Sequence, residues 1–432
     1  MTGNFNISLL AERIFNKCCA LITTLLFPFF VLFLMVRLIK KPEYRPKLRE
    51  RFGRYPNFTM APNKKRFWVH AVSVGEILSA GTLIHQLQER YPDIQIVVST
   101  TTPAGRAVAE QRLPAVQCMI YFPFDFPWIV RRAVSAIAPQ AFFCFETELW
   151  PNMLGALAQQ HTSVFLVNGR LSEQSTKRYN RARFFFRSVL KNINLFLMQT
   201  PEDAKRILQI GAPPERVFCT GNIKYDQAVA SIAAMKRPDL GIAKEALFIA
   251  GSLHAGEAEI ICEVYRRLRV EHPALVLLMA PRHLDLLEQI ERICRREEWQ
   301  FIRKTHITGL HHCPVILLDT FGELGPCYAL ADVVFVGGSL VPAGGHNILE
   351  PAVFSKPVFF GPHMNNFRDI AEALKRAGGG IEVSGEDEMI PKISMLLRDP
   401  AARQICGQQA REVVLTHQGA TERNLDHIAR WI

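Results

Sequence analysis

The fold is decided by the stretch from Phe67 to Thr100, which reads FWVHAVSVGEILSAGTLIHQLQERYPDIQIVVST. It opens with a short run of aromatic and β-branched residues, Phe67–Ala71, and closes with a second such run, Ile94–Thr100. Between them, Ile77–Glu89 has the apolar spacing of a helix. Two nearly continuous apolar strands joined by a helix predict parallel pairing in a sheet that helices cover on both faces.

The same alternation of strand and helix patterns continues along the chain. It predicts further strands at Gln117–Phe122, Ala141–Phe145, Val164–Asn168, Leu195–Gln199 and Val217–Thr220. The rhythm lapses near Asp226–Leu240, where Lys236-Arg237-Pro238 is typical of a linker. It then restarts, with strands predicted at Leu247–Ala250, Leu275–Ala280, Val315–Leu318, Val333–Val336 and Pro357–Phe360.

The N-terminus carries a separate signal, because no residue from Cys18 to Val36 is charged. That length is close to the roughly 20 residues that a helix needs to cross a bilayer. Basic residues follow the run, starting with Arg37, Lys40 and Lys41, and this bias places the long C-terminal body in the cytoplasm. We therefore expect a retained anchor, either spanning or deeply inserted. A cleaved signal peptide fits less well, because basic and bulky residues follow the run; a buried or in-plane helix is the other alternative.

These patterns predict an α/β protein with two Rossmann-like doubly wound lobes after an N-terminal membrane-anchor helix. The expected boundaries are an anchor at 1–40, a first lobe at 41–226, a linker at 227–240, a second lobe at 241–400 and C-terminal helices at 401–432. Ligands in such sheets bind beyond the carboxyl ends of the strands, so the loops after strands are the places to look for chemistry.

Composition narrows the classes of protein. The chain has 432 residues, 49% of them hydrophobic, and a formal net charge of +11. The charge suits an anionic membrane surface, an anionic substrate or nucleic acid, but no nucleic-acid-binding motif is present. The ten cysteines have neither a CxxC pair nor zinc spacing, which favours reduced thiols over a disulfide framework.

Acidic and basic residues follow three predicted strands of the first lobe. Glu76 stands where a helix begins, so it is either a favourable first-turn residue or a general base. Glu146 and Glu148 follow the apolar strand Ala141–Phe145. They are either structural, with Glu148 as a cap of the next helix, or functional, since a carboxylate there can hold substrate hydroxyls or stabilise positive charge that develops on a sugar ring. Lys224 follows the last strand and is either a surface lysine or a partner for a phosphate or carboxylate.

The second lobe offers loops suited to an anion. A turn at Ala250–Glu257 resembles a glycine-rich turn that feeds a helix, and Arg282 follows the next strand. Gly344 and Gly345 immediately precede a predicted helix that ends near Phe354, and small residues let the backbone approach a phosphate. No D-x-D pair and no metal-ligand cluster occur in the sequence, so we expect no bound metal.

Taken together, these motifs resemble those of the bacterial 3-deoxy-D-manno-octulosonic acid (Kdo) transferases. The matching segments recur in family order over most of the chain: His70–Glu76, Glu146–Asn152, Gly221–Asp226, Ala280–His283, Gly322–Leu324 and Gly344–Pro351. The resemblance implies a two-lobed glycosyltransferase of the B type, with a CMP-Kdo donor, a lipid A precursor as acceptor and an inverting reaction. It also implies attachment to the anionic inner membrane with a cytoplasmic active site, and no cofactor.

Carried over by position, the resemblance assigns roles to individual residues. Glu76 matches the general base, and Glu146 and Lys224 match residues that stabilise the transition state, with Glu148 as the alternative carboxylate. The residues that match CMP contacts are Pro281, Arg282, Gly322, Glu323, Leu324, Asn347, Ile348, Leu349 and Glu350. A UDP-sugar-dependent glycosyltransferase of the same fold, also acting on a membrane lipid, is the alternative function.

Overall fold

The architecture comes from a computed structural model that describes residues 3–45, 47–55, 61, 64–116, 118–233, 238–242 and 245–432. For residues 3–20 and 233 it describes the backbone alone. The contacts divide the chain into two units. Unit 1 comprises Met1–Gln227 and Gln418–Ile432, and unit 2 comprises Ala228–His417.

Each unit is built on one parallel sheet of seven strands in the part of the chain described. The strands of unit 1 are β1 Lys65–His70, β2 Ile94–Thr100, β3 Cys118–Tyr121, β4 Ala141–Phe145, β5 Ser163–Gly169, β6 Leu195–Met198 and β7 Val217–Cys219. Those of unit 2 are β8 Leu247–Leu253, β9 Val276–Pro281, β10 Phe301–Arg303, β11 Val315–Leu317, β12 Val333–Val336, β13 Val358–Phe360 and β14 Gly380–Glu382.

Helices connect these strands. The first ten are α1 Gly3–Lys40, α2 Leu48–Arg51, α3 Val74–Arg90, α4 Pro103–Arg112, α5 Pro127–Ile137, α6 Pro151–Gln159, α7 Glu173–Arg181, α8 Arg183–Leu190, α9 Pro201–Gln209 and α10 Ile223–Ala233. The others are α11 Glu257–Glu271, α12 Leu287–Arg296, α13 Leu324–Tyr328, α14 Leu349–Ala352, α15 Arg368–Ala377, α16 Glu386–Arg398, α17 Pro400–Thr416 and α18 Ala420–Ile428. Single 3₁₀ turns lie at Pro42–Tyr44, Pro214–Arg216, Leu284–Leu286 and Lys304–His306.

The strand orders confirm the predicted doubly wound α/β fold. In unit 1 the order is β3-β2-β1-β4-β5-β6-β7, and in unit 2 it is β10-β11-β9-β8-β12-β13-β14, with every pair parallel. Strand β4 shows why the sequence predicts this fold. All five of its residues are buried between helices on two faces. Such a strand reads as an unbroken apolar run.

Both faces of the first sheet are covered. Helices α5, α6, α8 and α9 pack on one face, and α3, α4 and the C-terminal α18 pack on the other. Hydrogen bonds fasten α18 to unit 1, since the carboxylate of Asp226 accepts from the backbone N–H groups of Gly419 (2.7 Å) and Thr421 (2.6 Å). The tail expected as C-terminal helices at 401–432 is thus divided between the units, with α17 in unit 2 and α18 in unit 1.

Two strands escaped the sequence analysis. Phe301–Arg303 and Gly380–Glu382 are three residues long, lie at the two edges of the second sheet and contain no fully buried residue. An edge strand packs less of its surface, so it lacks the continuous apolar run that marks central strands. The segment expected as a linker, 227–240, begins with the second half of α10, and its residues Lys236 and Arg237 lie outside the described residues. Gln117, at the start of the predicted third strand, also lies outside them.

The described part of α1 includes a long apolar segment. Within Leu21–Lys40, an 18-residue stretch has a mean hydropathy of 2.3 and only 6% of it is buried, so the segment is not a core helix of unit 1. The segment is long and apolar enough to cross a membrane, which is consistent with the predicted anchor.

Candidate active site

The candidate residues of unit 1 lie where the strand order reverses. Strands β1 and β4 are neighbours, but the chain visits β2 and β3 on one side before it crosses to β4 on the other. The loops after β1 and β4 therefore diverge and leave a crevice at the carboxyl edge of the sheet, the usual ligand site of this fold. Glu76 follows β1, and Glu146 follows β4 directly.

Glu76 combines a capping role with an unusual ionisation. Ser73 caps α3 and accepts a hydrogen bond from the Glu76 backbone N–H (3.3 Å), while the Glu76 carboxylate accepts from the N–H of Val72 (2.8 Å). Burial, with a smaller contribution from the negative charge of Glu146, raises the pKa of Glu76 to about 7. A carboxylate with a pKa near the working pH is suited to take up a proton.

Glu146 is held in a strained conformation. Its φ of +55° lies in the left-handed region, which costs a non-glycine residue of order 1–3 kcal/mol. Its carboxylate accepts a hydrogen bond from the Lys224 ammonium at 3.3 Å, and both side chains are largely buried. The lysine is itself positioned at the start of α10, where its backbone N–H donates to the side chain of Asn222 (3.0 Å). The structure thus joins Glu146 and Lys224 directly and brings Glu76 close enough for the charge of Glu146 to raise its pKa.

Glu148 lies in the same loop but has different partners. Its carboxylate accepts a hydrogen bond from the indole N–H of Trp150 (2.7 Å), and its carbonyl accepts one from the Cys144 thiol (3.3 Å). Burial raises the pKa of Glu148 above its usual value. The ion pair with Lys224 therefore distinguishes Glu146 from Glu148.

The second sheet has its own reversal, between β8 and β12. A cluster of basic side chains follows these strands and β9. The imidazoles of His254 and His346 are joined Nε2 to Nε2 at 2.8 Å, so one ring donates and the other accepts. Burial, followed by the charge of Arg282, lowers the pKa of His346 to about 4. Burial also lowers the pKa of His254, which His283 faces with ring centroids 6.2 Å apart.

A buried glutamate that the sequence analysis did not single out organises this region. The carboxylate of Glu257, in the first turn of α11, accepts from the backbone N–H groups of His254 (2.9 Å), Gly338 (2.7 Å), Ser339 (3.0 Å) and Leu340 (2.9 Å). A Cβ at Gly337 would overlap this carboxylate, which explains the glycine there. Part of the loop in which an external anion was expected is thus occupied by an internal one.

The remaining predicted residues of unit 2 fall into neighbouring positions. Asn347 donates its side-chain amide to Glu350 (3.1 Å) and accepts from the backbone N–H of Leu349 (3.2 Å). Burial, with a smaller contribution from Glu350, raises the pKa of Tyr328 well above its usual value. Tyr328 ends α13, which Leu324 begins. The helix predicted to end near Phe354 is the single turn Leu349–Ala352. Its N-cap Ile348 and its first residue Leu349 are both buried.

Two further segments frame this neighbourhood. Pro281 is the last residue of β9, and the backbone N–H of Arg282 donates to the carbonyl of Leu253 (2.8 Å), which ties the end of β9 to β8. Glu323 forms an ion pair with Lys304 (3.0 Å) and accepts from the hydroxyl of Thr320. The Thr320 hydrogen bond, followed by that of Lys304, lowers the pKa of Glu323. Gly322 precedes Glu323 and has a φ of +82°, a conformation that glycine adopts readily and that this turn uses.

The sequence places Glu257 at the start of a predicted helix, but this position alone does not indicate that the residue organises a site. A glutamate in the first turn of a helix is favoured by the helix dipole alone, so the sequence attaches no special meaning to it. Its main partners, Gly338–Leu340, are about 80 residues away along the chain. Among the described residues, no group of three or more His, Cys, Asp or Glu side chains has the arrangement of a metal site.

Comparison with known proteins identifies the family. The family model described as 3-deoxy-D-manno-octulosonic-acid transferase (kdotransferase) matches residues 46–227. A 3-deoxy-D-manno-octulosonic acid transferase of Haemophilus influenzae is 34% identical over 92% of this chain and 94% of its own length. The chain belongs to the Kdo transferase family. It is therefore a glycosyltransferase that transfers Kdo in lipopolysaccharide synthesis, as the resemblance implied.

Other similarities agree with this family and with the fold. A Kdo transferase of Bordetella pertussis is 32% identical over 88% of this chain and 91% of its own length. A solved UDP-GlcNAc 2-epimerase of Neisseria meningitidis superposes with a TM-score of 0.60 over 85% of this chain and 100% of its own, at 13% identity. At that identity the superposition supports the two-lobed architecture of this Kdo transferase and nothing about its ligands.

Proposed function

We propose that this Kdo transferase is an inverting, metal-independent enzyme that transfers Kdo from CMP-Kdo to a lipid A precursor. Glu76 is the proposed general base: it removes the proton from the acceptor hydroxyl as that oxygen forms a bond to the anomeric carbon. The bond from that carbon to the phosphate oxygen of CMP breaks, and CMP leaves. The observation that carries this assignment is the position of the Glu76 carboxylate, which lies after β1 where the strand order of the sheet reverses and is held there by the N–H of Val72. Burial beside Glu146 raises its pKa to about 7, which suits the role.

Glu146 and Lys224 are the proposed electrostatic partners of the transition state. The sugar ring gains positive charge and the leaving phosphate gains negative charge as the bond breaks, so a fixed carboxylate and a fixed ammonium both help. Their ion pair at 3.3 Å supports this proposal, because each group is already oriented before substrate arrives and loses little freedom in the reaction.

The donor is proposed to bind unit 2 through Pro281, Arg282, Gly322, Glu323, Leu324, Asn347, Ile348, Leu349 and Glu350. Arg282 supplies a positive charge that suits a phosphate or a carboxylate, whereas the neighbouring imidazole of His346, with a pKa lowered to about 4, is neutral and can act only through hydrogen bonds. The carboxylate of Glu350, hydrogen-bonded to Asn347, is suited to accept hydrogen bonds from the hydroxyl groups of a ribose. The contact between Glu350 and the amide orients the carboxylate in advance.

Metal independence is proposed on the reaction chemistry and the sequence. The leaving group is a nucleoside monophosphate, so no pyrophosphate has to be split, and the sequence contains no D-x-D pair to hold a metal on one. We expect full turnover in excess EDTA. A turnover rate that falls with EDTA and returns with Mg²⁺ would refute this part of the proposal.

The acceptor is proposed to be a membrane lipid, reached from the cytoplasmic face of the inner membrane. The apolar segment Leu21–Lys40 and the basic residues that follow it support a membrane location with the body on the cytoplasmic side. No nucleic-acid partner and no cofactor is part of the proposal.

The decisive experiment is a product analysis by mass spectrometry with CMP-Kdo and a tetraacylated lipid A precursor. We expect the acceptor to gain the mass of at least one Kdo unit and CMP to be released. A matched incubation with UDP-sugars tests the alternative function, which transfer from a UDP-sugar and none from CMP-Kdo would favour.

A further inference from the structure

The apolar segment of α1 is fastened to unit 1 at both of its ends. Near its start, the ring of Phe27 packs edge-on against Phe126 and Trp128, each with centroids 4.9 Å apart. Phe30 packs against Phe124 at 4.8 Å. Near its end, the Tyr44 ring lies between the guanidinium of Arg37 (4.7 Å from the ring centre) and that of the buried Arg51 (5.5 Å), which links the end of the helix to the body of unit 1.

The contacting residues form a single stripe along the helix. The partly buried positions are Thr23, Phe27, Phe30, Val31, Leu34 and Leu38. Their spacing of three, four and one residues is that of one helical face, and the stripe runs for about 22 Å at roughly 1.5 Å per residue. The opposite face is exposed and apolar; Leu25 is 66% exposed and Phe29 is 72% exposed.

The stripe lies at the carboxyl edge of the first sheet. Phe126 is the cap of α5 and Trp128 lies in its first turn, and both helices α5 and α6 begin where strands end. The side-chain amide of Asn152, in the first turn of α6, lies 3.4 Å from the hydroxyl of Thr23. Asn152 belongs to the same loop and helix start as Glu146, so α1 packs beside the loop that carries the proposed catalytic carboxylate.

A spanning helix would conflict with these contacts. The hydrocarbon core of a bilayer is about 30 Å thick. A helix fastened to a folded body over most of its apolar length could cross that core only if it drew the polar surface of the body in with it. Arg131 and Arg132, which are exposed on the helix α5 against which α1 packs, lie on that surface. Burying such groups in lipid is costly.

We propose that α1 lies in the plane of the membrane and does not cross it. Its exposed face enters the boundary between head groups and acyl chains, and its docked face holds the carboxyl edge of the first sheet at the level of the head groups. The occupant of the exposed face is thus a bilayer with anionic lipids, because exposed basic residues continue from the helix: Arg37, Lys40, Lys41, Arg45 and Lys47. The inference rests on the proposed function in one respect, that the acceptor is a lipid of this membrane.

Topology provides the first test. The full chain carries one epitope tag at its N-terminus and another at its C-terminus, and sealed membrane vesicles of known orientation are treated with protease. We expect both tags to be cleaved from the same side. An N-terminal tag protected while the C-terminal tag is cleaved would overturn the proposal. Kdo transfer measured on untreated vesicles tests the proposed function independently. If both tags were cleaved from one side but no Kdo were transferred, the proposed function would be refuted and the in-plane helix would stand.

Charge substitution on the exposed face provides the second test. The variant Leu25→Asp with Leu32→Asp places two carboxylates on the face proposed to meet lipid, and Leu310→Asp is the matched control, a leucine of unit 2 that is 80% exposed. We expect the double variant to lose at least about tenfold in binding to vesicles that contain anionic lipid, with an unchanged Tm, and the control to bind normally. Unchanged vesicle binding would refute the proposal. If the double variant instead changed only the oligomeric state, the exposed face would be an interface between copies of the chain.

Discussion

Glu76 and Glu257 occupy equivalent places in the two units and do different things. Each lies in the first turn of the helix that follows the first strand of its sheet, α3 after β1 and α11 after β8. Glu76 accepts one backbone hydrogen bond, from Val72, and remains partly accessible. Glu257 is fully buried and accepts four, from its own turn and from the loop after β12.

The difference in hydrogen bonding explains the difference in role. The carboxylate of Glu257, which accepts from four N–H groups, ties two loops together and acts as an internal clamp. A carboxylate with few donors, buried beside another acid, is poorly stabilised as an anion, which is why the pKa of Glu76 rises to about 7. The same residue type at the same point of the same fold can therefore be a proton acceptor or a fixed support, depending on how many donors surround it.

The largest effect should come from Glu76→Gln. The amide keeps an oxygen that can accept from Val72, so the helix cap survives, but it cannot take a proton. We expect kcat to fall about 10²–10⁴-fold, the usual contribution of a positioned base. The measurement is steady-state turnover of CMP-Kdo with Tm as a check of folding. Glu89→Gln, an exposed glutamate at the far end of the same helix, is the control and should keep full activity.

A smaller effect should separate the two carboxylates after β4. Glu146→Gln removes the charge that holds Lys224, and we expect kcat to fall about 10²-fold, in the range found when one electrostatic partner of a transition state is lost. Glu148→Gln keeps an acceptor for Trp150 and should lose far less. If Glu148→Gln proved the more damaging of the two in the same kinetic assay, the role would have to move to Glu148.

Glu257→Gln tests the clamp half of the comparison. The glutamine side chain would point its NH₂ group toward backbone N–H groups that now donate to the carboxylate. Each donor left without an acceptor costs about 1–3 kcal/mol. We expect the loop at Gly338–Leu340 to shift, KM for CMP-Kdo to rise about tenfold with a smaller change in kcat, and Tm to fall. Glu259→Gln, an exposed neighbour on α11, is the control. A fall in kcat with KM unchanged would contradict a positioning role in donor binding.

The smallest effect is on stability and depends on pH. The pKa of Glu76 is higher in the folded chain, about 7, than its ordinary value of 4.5, so between these values the folded state binds more protons than the unfolded state. Stability contributed by this group is then present below pH 4.5 and is lost as pH rises toward 7. We expect Glu76→Gln to become more stable than the natural chain above pH 7, by at most about 3 kcal/mol. Denaturant titrations at pH 5 and pH 8 measure this; an equal difference at both would contradict the raised pKa.

Most of the fold was predictable because its central strands are buried on both faces. Runs such as Phe67–Ala71 and Ala141–Phe145 have the unbroken apolar character that parallel strands require, and the structure has strands there. The two edge strands of unit 2 were missed because they are short and half-solvated. The neighbourhood of the site was predictable too, since the strand order of a doubly wound sheet directs Glu76 and Glu146 to one edge.

What the sequence determined by itself is the set of chemical groups and the strand-end loops that carry them, because apolar runs, helix spacing and residue types are local properties of the chain. What only the tertiary structure decided is what each group does: that Lys224 pairs with Glu146, that Glu257 is enclosed by four N–H groups, and that one face of α1 packs on unit 1. These outcomes depend on partners far apart along the chain, and burial and hydrogen bonding act only once the fold has brought such partners together.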